Sequence, residues 1–159
     1  MRKLLNSVSL LSVLMAAPVV TMSAAVAEDK LEALTKSENN WAMQGKNYSA
    51  NHYSALNQVN ADNVKNLKVA WSFSTGLLSG HEGSPIVVDG KMYVHTSFPN
   101  NTFALNLDDP TRILWQHKPK QNAAARAVAC CDIVNRGLAY WPGDGKTPSL
   151  IVKTLLDGH

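Results

Sequence analysis

Apolar and polar positions change rhythm several times along the 159 residues. Residues 10–20 form an apolar run broken by Ser12 and Pro18. After a short polar stretch, Leu31, Ala33 and Leu34 suffice for about one helical turn. Residues 39–57 are rich in Asn, Ser and Tyr, and Trp41, Tyr48 and Tyr53 recur without a period. That pattern predicts an extended segment pinned by its aromatics. Asn60 is a good N-cap for a second short helix, with Val64 and Leu67 on one face, ending before Val69. From there the period becomes two: Val69, Trp71 and Phe73 alternate with Ala70 and Ser72, as in a strand with one buried face. Residues 85–88 and 91–96 flank Asp89-Gly90, the signature of a hairpin closed by a type I′ turn. Pro99-Asn100-Asn101 predicts another turn, residues 102–106 a third strand, Asp108-Asp109-Pro110 a break, and residues 112–117 a fourth strand carrying Trp115. Four short antiparallel strands within about 35 residues have the size of one propeller blade.

The pattern recurs. Met92-Tyr93-Val94-His95-Thr96 is echoed by Leu150-Ile151-Val152-Lys153-Thr154, each followed by a turn. The second copy stops at His159 without a counterpart of Ala104-Leu105 or of the Trp115 strand. A blade cut midway leaves an open edge and an uncovered apolar face. The expectation is therefore an all-β chain that forms the amino-terminal portion of a longer propeller.

Charge narrows the function classes. The chain has 15 Lys and Arg against 12 Asp and Glu, a formal charge of +3. Arg2 and Lys3 fall in residues 1–27, which read as a secretory signal peptide with an apolar centre and an Ala25-Val26-Ala27 cleavage site before Glu28. Without those two the basic residues number 13 against 12 acidic ones. A nucleic-acid partner is not expected, since that needs a clustered basic face. The apolar run is also short of the roughly 20 residues that span a bilayer, so no transmembrane segment is expected. The reading is a protein exported to a bacterial periplasm, with 28–159 as its propeller portion. Disulfides are permitted there.

Cys130 and Cys131 are the two cysteines, and they are adjacent. Zinc clips and thioredoxin-type sites both need intervening residues, so neither fits. Two free thiols, buried and inert, two intermolecular bridges and a vicinal disulfide remain as alternatives on this spacing alone. His81-Glu82-Gly83 lies ahead of the first hairpin strand, and Arg136 follows Cys131 by five residues.

With these residues in place the chain resembles the large (α) subunits of the periplasmic quinoprotein methanol dehydrogenases, eight-bladed β-propellers that bind pyrroloquinoline quinone (PQQ). The likeness runs through Asn40-Trp41, Asn63-Val64-Lys65, residues 70–77, Gly80-His81-Glu82-Gly83, residues 95–102 and residues 125–132. It implies that Cys130 and Cys131 form a vicinal disulfide packed on one face of PQQ, with a later Trp on the other. It implies that Glu82 contacts the cofactor and that Arg136 hydrogen-bonds its ortho-quinone oxygens, a cation placed where negative charge develops. The implied reaction oxidises methanol or another primary alcohol to the aldehyde. The aspartate base and the metal ligands are expected beyond His159, so no catalytic or metal-binding residue is assigned within this chain. The wording of residues 95–102 and 125–132 favours calcium over a lanthanide. Implied partners are a small β subunit and a periplasmic c-type cytochrome.

Other residues carry less. His81 and His95 are read as hydrogen-bonded structural histidines rather than metal ligands. Asp132 reads as a loop or capping group, and Trp41, Trp71, Trp115 and Trp141 as core or inter-blade packing. Two glycosylation-type triplets, at Asn47 and Asn100, are incidental in a bacterial chain. A related quinoprotein of other substrate or lanthanide type is the near rival. A non-enzymatic propeller scaffold is the distant one, with no use for adjacent cysteines beside Glu82 and Arg136.

Overall fold

The Asp89-Gly90 pair does what its sequence predicts: both residues adopt positive φ, 48° and 71°, and Val88 pairs with Lys91 across the turn. In the computed structural model, which describes residues 20–158, this hairpin joins strands β1 (Ile86–Val88) and β2 (Lys91–His95). Strands β3 (Thr102–Asn106) and β4 (Ile113–His117) complete a four-stranded antiparallel sheet in the order β1-β2-β3-β4. Between Ala104 and Leu105 the register against β4 slips by one residue, leaving Leu114 as a bulge that packs against the core. A second hairpin, β5 (Ala139–Trp141) with β6 (Leu150–Val152), corresponds to the repeat seen in the sequence.

The core forms where these parts meet. Ile86, Val88, Tyr93 and Ala104 of the first sheet pack with Ala42 and Leu138, and Tyr140 and Ile151 of the second hairpin lie against them. Ile86 and Leu105 are fully buried, each stabilising the fold by about 1.5–3 kcal/mol relative to exposure. Strand β3 is buried on both faces from Thr102 to Leu105. Phe103 on its second face meets Phe73 edge to face, ring centroids 5.1 Å apart.

Four expectations need correction. The single helical turn at Leu31 is part of α1 (Val20–Lys36), a 17-residue helix. Residues 19–36 contain neither Gly nor Pro and several Ala, so nothing interrupts propagation; Leu31 and Leu34 then pack on the core. The signal-peptide reading of 1–27 lies mostly outside the described residues. The segment 39–57 is not one extended run: residues 43–49 form turns, and of its aromatics Tyr48 and Tyr53 are exposed. Its anchors are Trp41, which exchanges backbone hydrogen bonds with Val87 at 2.7 and 2.9 Å, and the buried Lys46, whose Nζ donates to Ser37 O and Asn40 O. The second helix is only a 3-10 turn, Val64–Asn66: Asn60 does accept from the Asp62 and Asn63 amides as an N-cap does, but both Val64 and Leu67 stay exposed, so no packing extends the turn. Residues 69–73 form no strand: Val69 and Trp71 are exposed and no neighbouring backbone pairs with them among the described residues. Of the two readings for Trp115, core and inter-blade packing, the first does not hold within this chain: on edge strand β4 it is 41% exposed, with its ring 5.9 Å from that of Tyr93.

Candidate functional site

Three loops meet at one end of the four-stranded sheet. Because Ile86 opposes Tyr93 in an antiparallel pair, the segment entering β1, residues 80–85, and the one leaving β2, residues 96–101, lie at the same end. Residues 129–137 are stitched onto them. Phe98 N–H donates to Ile133 O at 3.1 Å, and the His95 imidazole bonds Asn135 O at 2.8 Å. The ring of Phe98 also receives the Arg126 guanidinium, 4.8 Å from its centroid.

Local sequence shapes the third loop. The Asn122 side chain accepts from Ala124 N–H and starts the 3-10 helix Ala123–Val128. A second 3-10 turn, Cys131–Ile133, is closed by Ile133 N–H donating to Cys130 O at 3.0 Å. Cys131 and Ile133 adopt φ of 60° and 57°, a region costing a residue with a side chain about 1–3 kcal/mol. Such strain persists where the surroundings over-determine it, and here it falls on the adjacent cysteines. Their sulfurs are bonded to one another, no described cysteine is free, and both residues are exposed.

Glu82 and Arg136 come together although 54 positions separate them. Arg136 Nε donates to Glu82 Oε2 at 3.2 Å, with side chains 71% and 51% exposed. An ion pair this exposed contributes at most about 1 kcal/mol. Its value lies in orientation. The backbone around Arg136 is held more firmly: Gln44 Nε2 donates to the Arg136 carbonyl, and the Asn135 side chain spans Thr154 O at 3.0 Å and Gly137 N–H at 3.1 Å. A cavity of about 300 Å³ opens beside it, lined by Asn100, Val134, Asn135, Arg136, Thr154 and Leu155.

Two bases lie beneath the loops, His95 buried and Lys153 half-buried. Burial pushes the His95 imidazole below its ordinary value, and the charges of Lys153 and His81 act in the same direction. Burial also lowers Lys153, to about 8; its Nζ donates to Thr102 Oγ1 at 2.7 Å and to Asn100 O, tying the second hairpin to the start of β3. His81 stays at the surface, its Nε2 3.0 Å from Thr75 Oγ1. Among the described residues no three His, Cys, Asp or Glu side chains gather in a way that could hold a metal ion. Sequence reasoning missed Gln44, Asn135 and Lys153. Their signal is tertiary, since each acts on backbone far away in the chain.

The four-stranded antiparallel sheet has the form of one β-propeller blade, and the comparisons agree on that class of fold. The family model of the β-propeller domain of PQQ-type glucose/ethanol/alcohol dehydrogenases matches residues 41–159. The chain belongs to that family. It is 70% identical over its whole length to methanol dehydrogenase (cytochrome c) subunit 1 of Methylobacterium organophilum, covering 25% of that protein. It is 53% identical over 87% of its length to the lanthanide-dependent methanol dehydrogenase of Methylacidiphilum fumariolicum, covering 22% of it. A solved europium-containing methanol dehydrogenase superposes with a TM-score of 0.72 and 51% identity, over 80% of this chain and 21% of that one. The chain thus spans about a quarter of the length of the curated relatives it matches. Among the described residues no helix is long and apolar enough to cross a membrane.

Proposed function

We propose that this chain supplies one wall of the cofactor site in a periplasmic, eight-bladed, PQQ-dependent dehydrogenase that oxidises methanol and other small primary alcohols to aldehydes. The observation that carries the reading is the exposed Cys130–Cys131 disulfide on the same loop as Arg136, whose guanidinium meets Glu82. The residues suit the group. Two polarizable sulfurs facing outward offer a surface to the π-face of a planar tricycle. Arg136 carries five N–H donors in a planar fork and keeps most of its surface open to receive carbonyl or carboxylate oxygens. When bound, PQQ supplies the two-electron acceptor for alcohol oxidation. The task of this chain is to orient it: the disulfide fixes the plane, Arg136 fixes the oxygen edge and favours negative charge there, and Glu82 holds Arg136 in place while contacting the cofactor itself.

Residues 1–27 act in this reading as a cleaved export signal. A small β subunit and a c-type cytochrome complete the assembly. Calcium is the metal proposed beside the cofactor, on the wording of residues 95–102 and 125–132. The 51% identity to a europium-containing structure supports a lanthanide as the second reading, and reconstitution of the metal-free enzyme with Ca²⁺ or La³⁺ separates the two by which ion restores turnover.

The test is PQQ titration of a complete apo-dehydrogenase that includes this chain. Arg136→Ala is expected to weaken PQQ binding roughly 10- to 100-fold, the scale of a lost charge-assisted hydrogen bond. Cys130→Ser is expected to abolish cofactor-linked turnover. Unchanged PQQ affinity and turnover in both variants would overturn the assignment.

A further inference from the structure

Glu82 and Arg136 sit on loops with no direct backbone hydrogen bond between them among those described, so something must set their spacing. The imidazole of His95 lies between. His95 closes β2, is only 4% exposed, and bonds the carbonyl oxygen of Asn135, the residue before Arg136, at 2.8 Å. A carbonyl only accepts, so Nε2 carries the proton and donates. On the other side the imidazole is pressed against Gly83, the residue after Glu82. A Cβ placed on Gly83 would stand 1.9 Å from His95 Nε2, 2.1 Å from Cε1 and 2.9 Å from Asn135 O. Only a residue without a side chain passes there. The Glu82 loop therefore rests on the hydrogen bond that holds the Arg136 loop.

We infer that His95 is a positioning residue for the Glu82–Arg136 pair: its Nε2–H fixes the backbone entering Arg136 while its ring sets how closely the Glu82-Gly83 loop can approach. The inference rests on the proposed roles of Glu82 and Arg136 and adds a residue that touches neither charged group. Gln44 completes the clamp by donating to the next carbonyl, that of Arg136 itself. Two successive carbonyls are thus held from distant segments, which fixes where and in what direction the Arg136 side chain leaves the backbone. The other charged or titratable groups acting on His95 are Lys153 and His81, and both, like burial, favour the neutral ring. The remaining ring nitrogen, Nδ1, is buried without a hydrogen-bond partner among the described residues, so the ring spends its one donor on Asn135 O.

Glutamine places an amide N–H near the position of Nε2, whereas asparagine reaches only to the position of Nδ1. In a complete apo-dehydrogenase that includes this chain, His95→Asn is expected to weaken PQQ binding about 10-fold or more, read by cofactor absorbance during titration, in line with the large cost of small misplacements at a site. His95→Gln is expected to stay within about 3-fold of the parent. The deciding measurement is a double-mutant cycle with Arg136→Ala. If His95 acts through Arg136, His95→Asn adds less than about 2-fold once Arg136 is gone. Gly83→Ala, which pushes the ring aside without removing it, is expected to show the same non-additivity and serves if His95→Asn does not fold. Additive losses, or equal losses for Asn and Gln, would overturn the role of His95 while leaving Arg136 in place. An Arg136→Ala protein that binds PQQ normally would instead overturn the underlying assignment and His95 with it.

Discussion

Two stretches of this chain meet the same sheet on different terms. Lys91–His95 lies inside it, hydrogen-bonded to β1 on one side and β3 on the other. Residues 69–77 join no ladder of it among the described residues, and Phe73 meets Phe103 of β3 edge to face. The alternation of apolar side chains is cleaner in the second stretch, yet only the first is a strand. A period of two says which face a strand would bury; it does not supply the neighbour that accepts the hydrogen bonds. Lys91–His95 has that neighbour because Asp89-Gly90 folds the chain back within two residues. Residues 69–73 are preceded by a 3-10 turn and followed by Gly76, and nothing local brings a partner alongside.

The sharpest way to break the contrast is at the centre of the sheet. Leu105 is fully buried, so Leu105→Ala is expected to destabilise by about 2–5 kcal/mol in urea unfolding. The turn comes next. Gly90 has a φ of 71° with open space around it, so Gly90→Val costs through backbone conformation alone, about 1–2 kcal/mol by the same measurement. A third test concerns the tie between the two hairpins. Lys153 titrates near 8 in the fold against an ordinary value of 10.5. Between those values the unfolded chain binds the proton and the folded one does not, so stability rises with pH through that window and is lost as pH falls toward 8. Tyr93, whose buried phenol is raised above 10.0, works in the opposite direction above that point. Lys153→Met is therefore expected to flatten the rise between about pH 8 and 10, and an unchanged slope would show that another group carries it. The smallest effect belongs to the unpaired stretch: Val69 is 87% exposed, and Val69→Ala is expected to fall within about 0.5 kcal/mol. A larger cost there would mean that this segment finds a partner strand.

The same contrast explains how much of the molecule could be read in advance. Strands β1 to β4 were legible because each is joined to the next by a short turn with its own residue signature, so local chemistry dictates long-lived neighbours. The bulge at Leu114 was not legible, since it answers to the shape of the core rather than to the pattern of β4. At the site, Cys130, Cys131, Glu82 and Arg136 were visible as residue types in a familiar order. Of the supports that hold them, His95 was legible as a hydrogen-bonded structural histidine, whereas Gln44 and Asn135 act through side-chain hydrogen bonds to carbonyls or amides, and any polar side chain at those positions reads the same in one dimension. Lys46 is a further case. Its charge suggests a solvated surface residue, yet it is buried because two carbonyls of the turn after α1 need a donor there.

By itself, then, the sequence determined the turns between β1 and β4, the echo of residues 92–96 in 150–154 that becomes β6, and the identity of the chemistry-bearing residues, because these depend on φ preferences, side-chain period and composition, all of which act over a few positions. Tertiary structure alone decided that residues 69–73, with no local turn to supply a neighbour, stay unpaired among the described residues, and it alone brought Glu82 within 3.2 Å of Arg136. Both outcomes turn on whether a distant part of the chain offers a hydrogen-bonding partner, and a partner's position is a property of the packed molecule rather than of any segment within it.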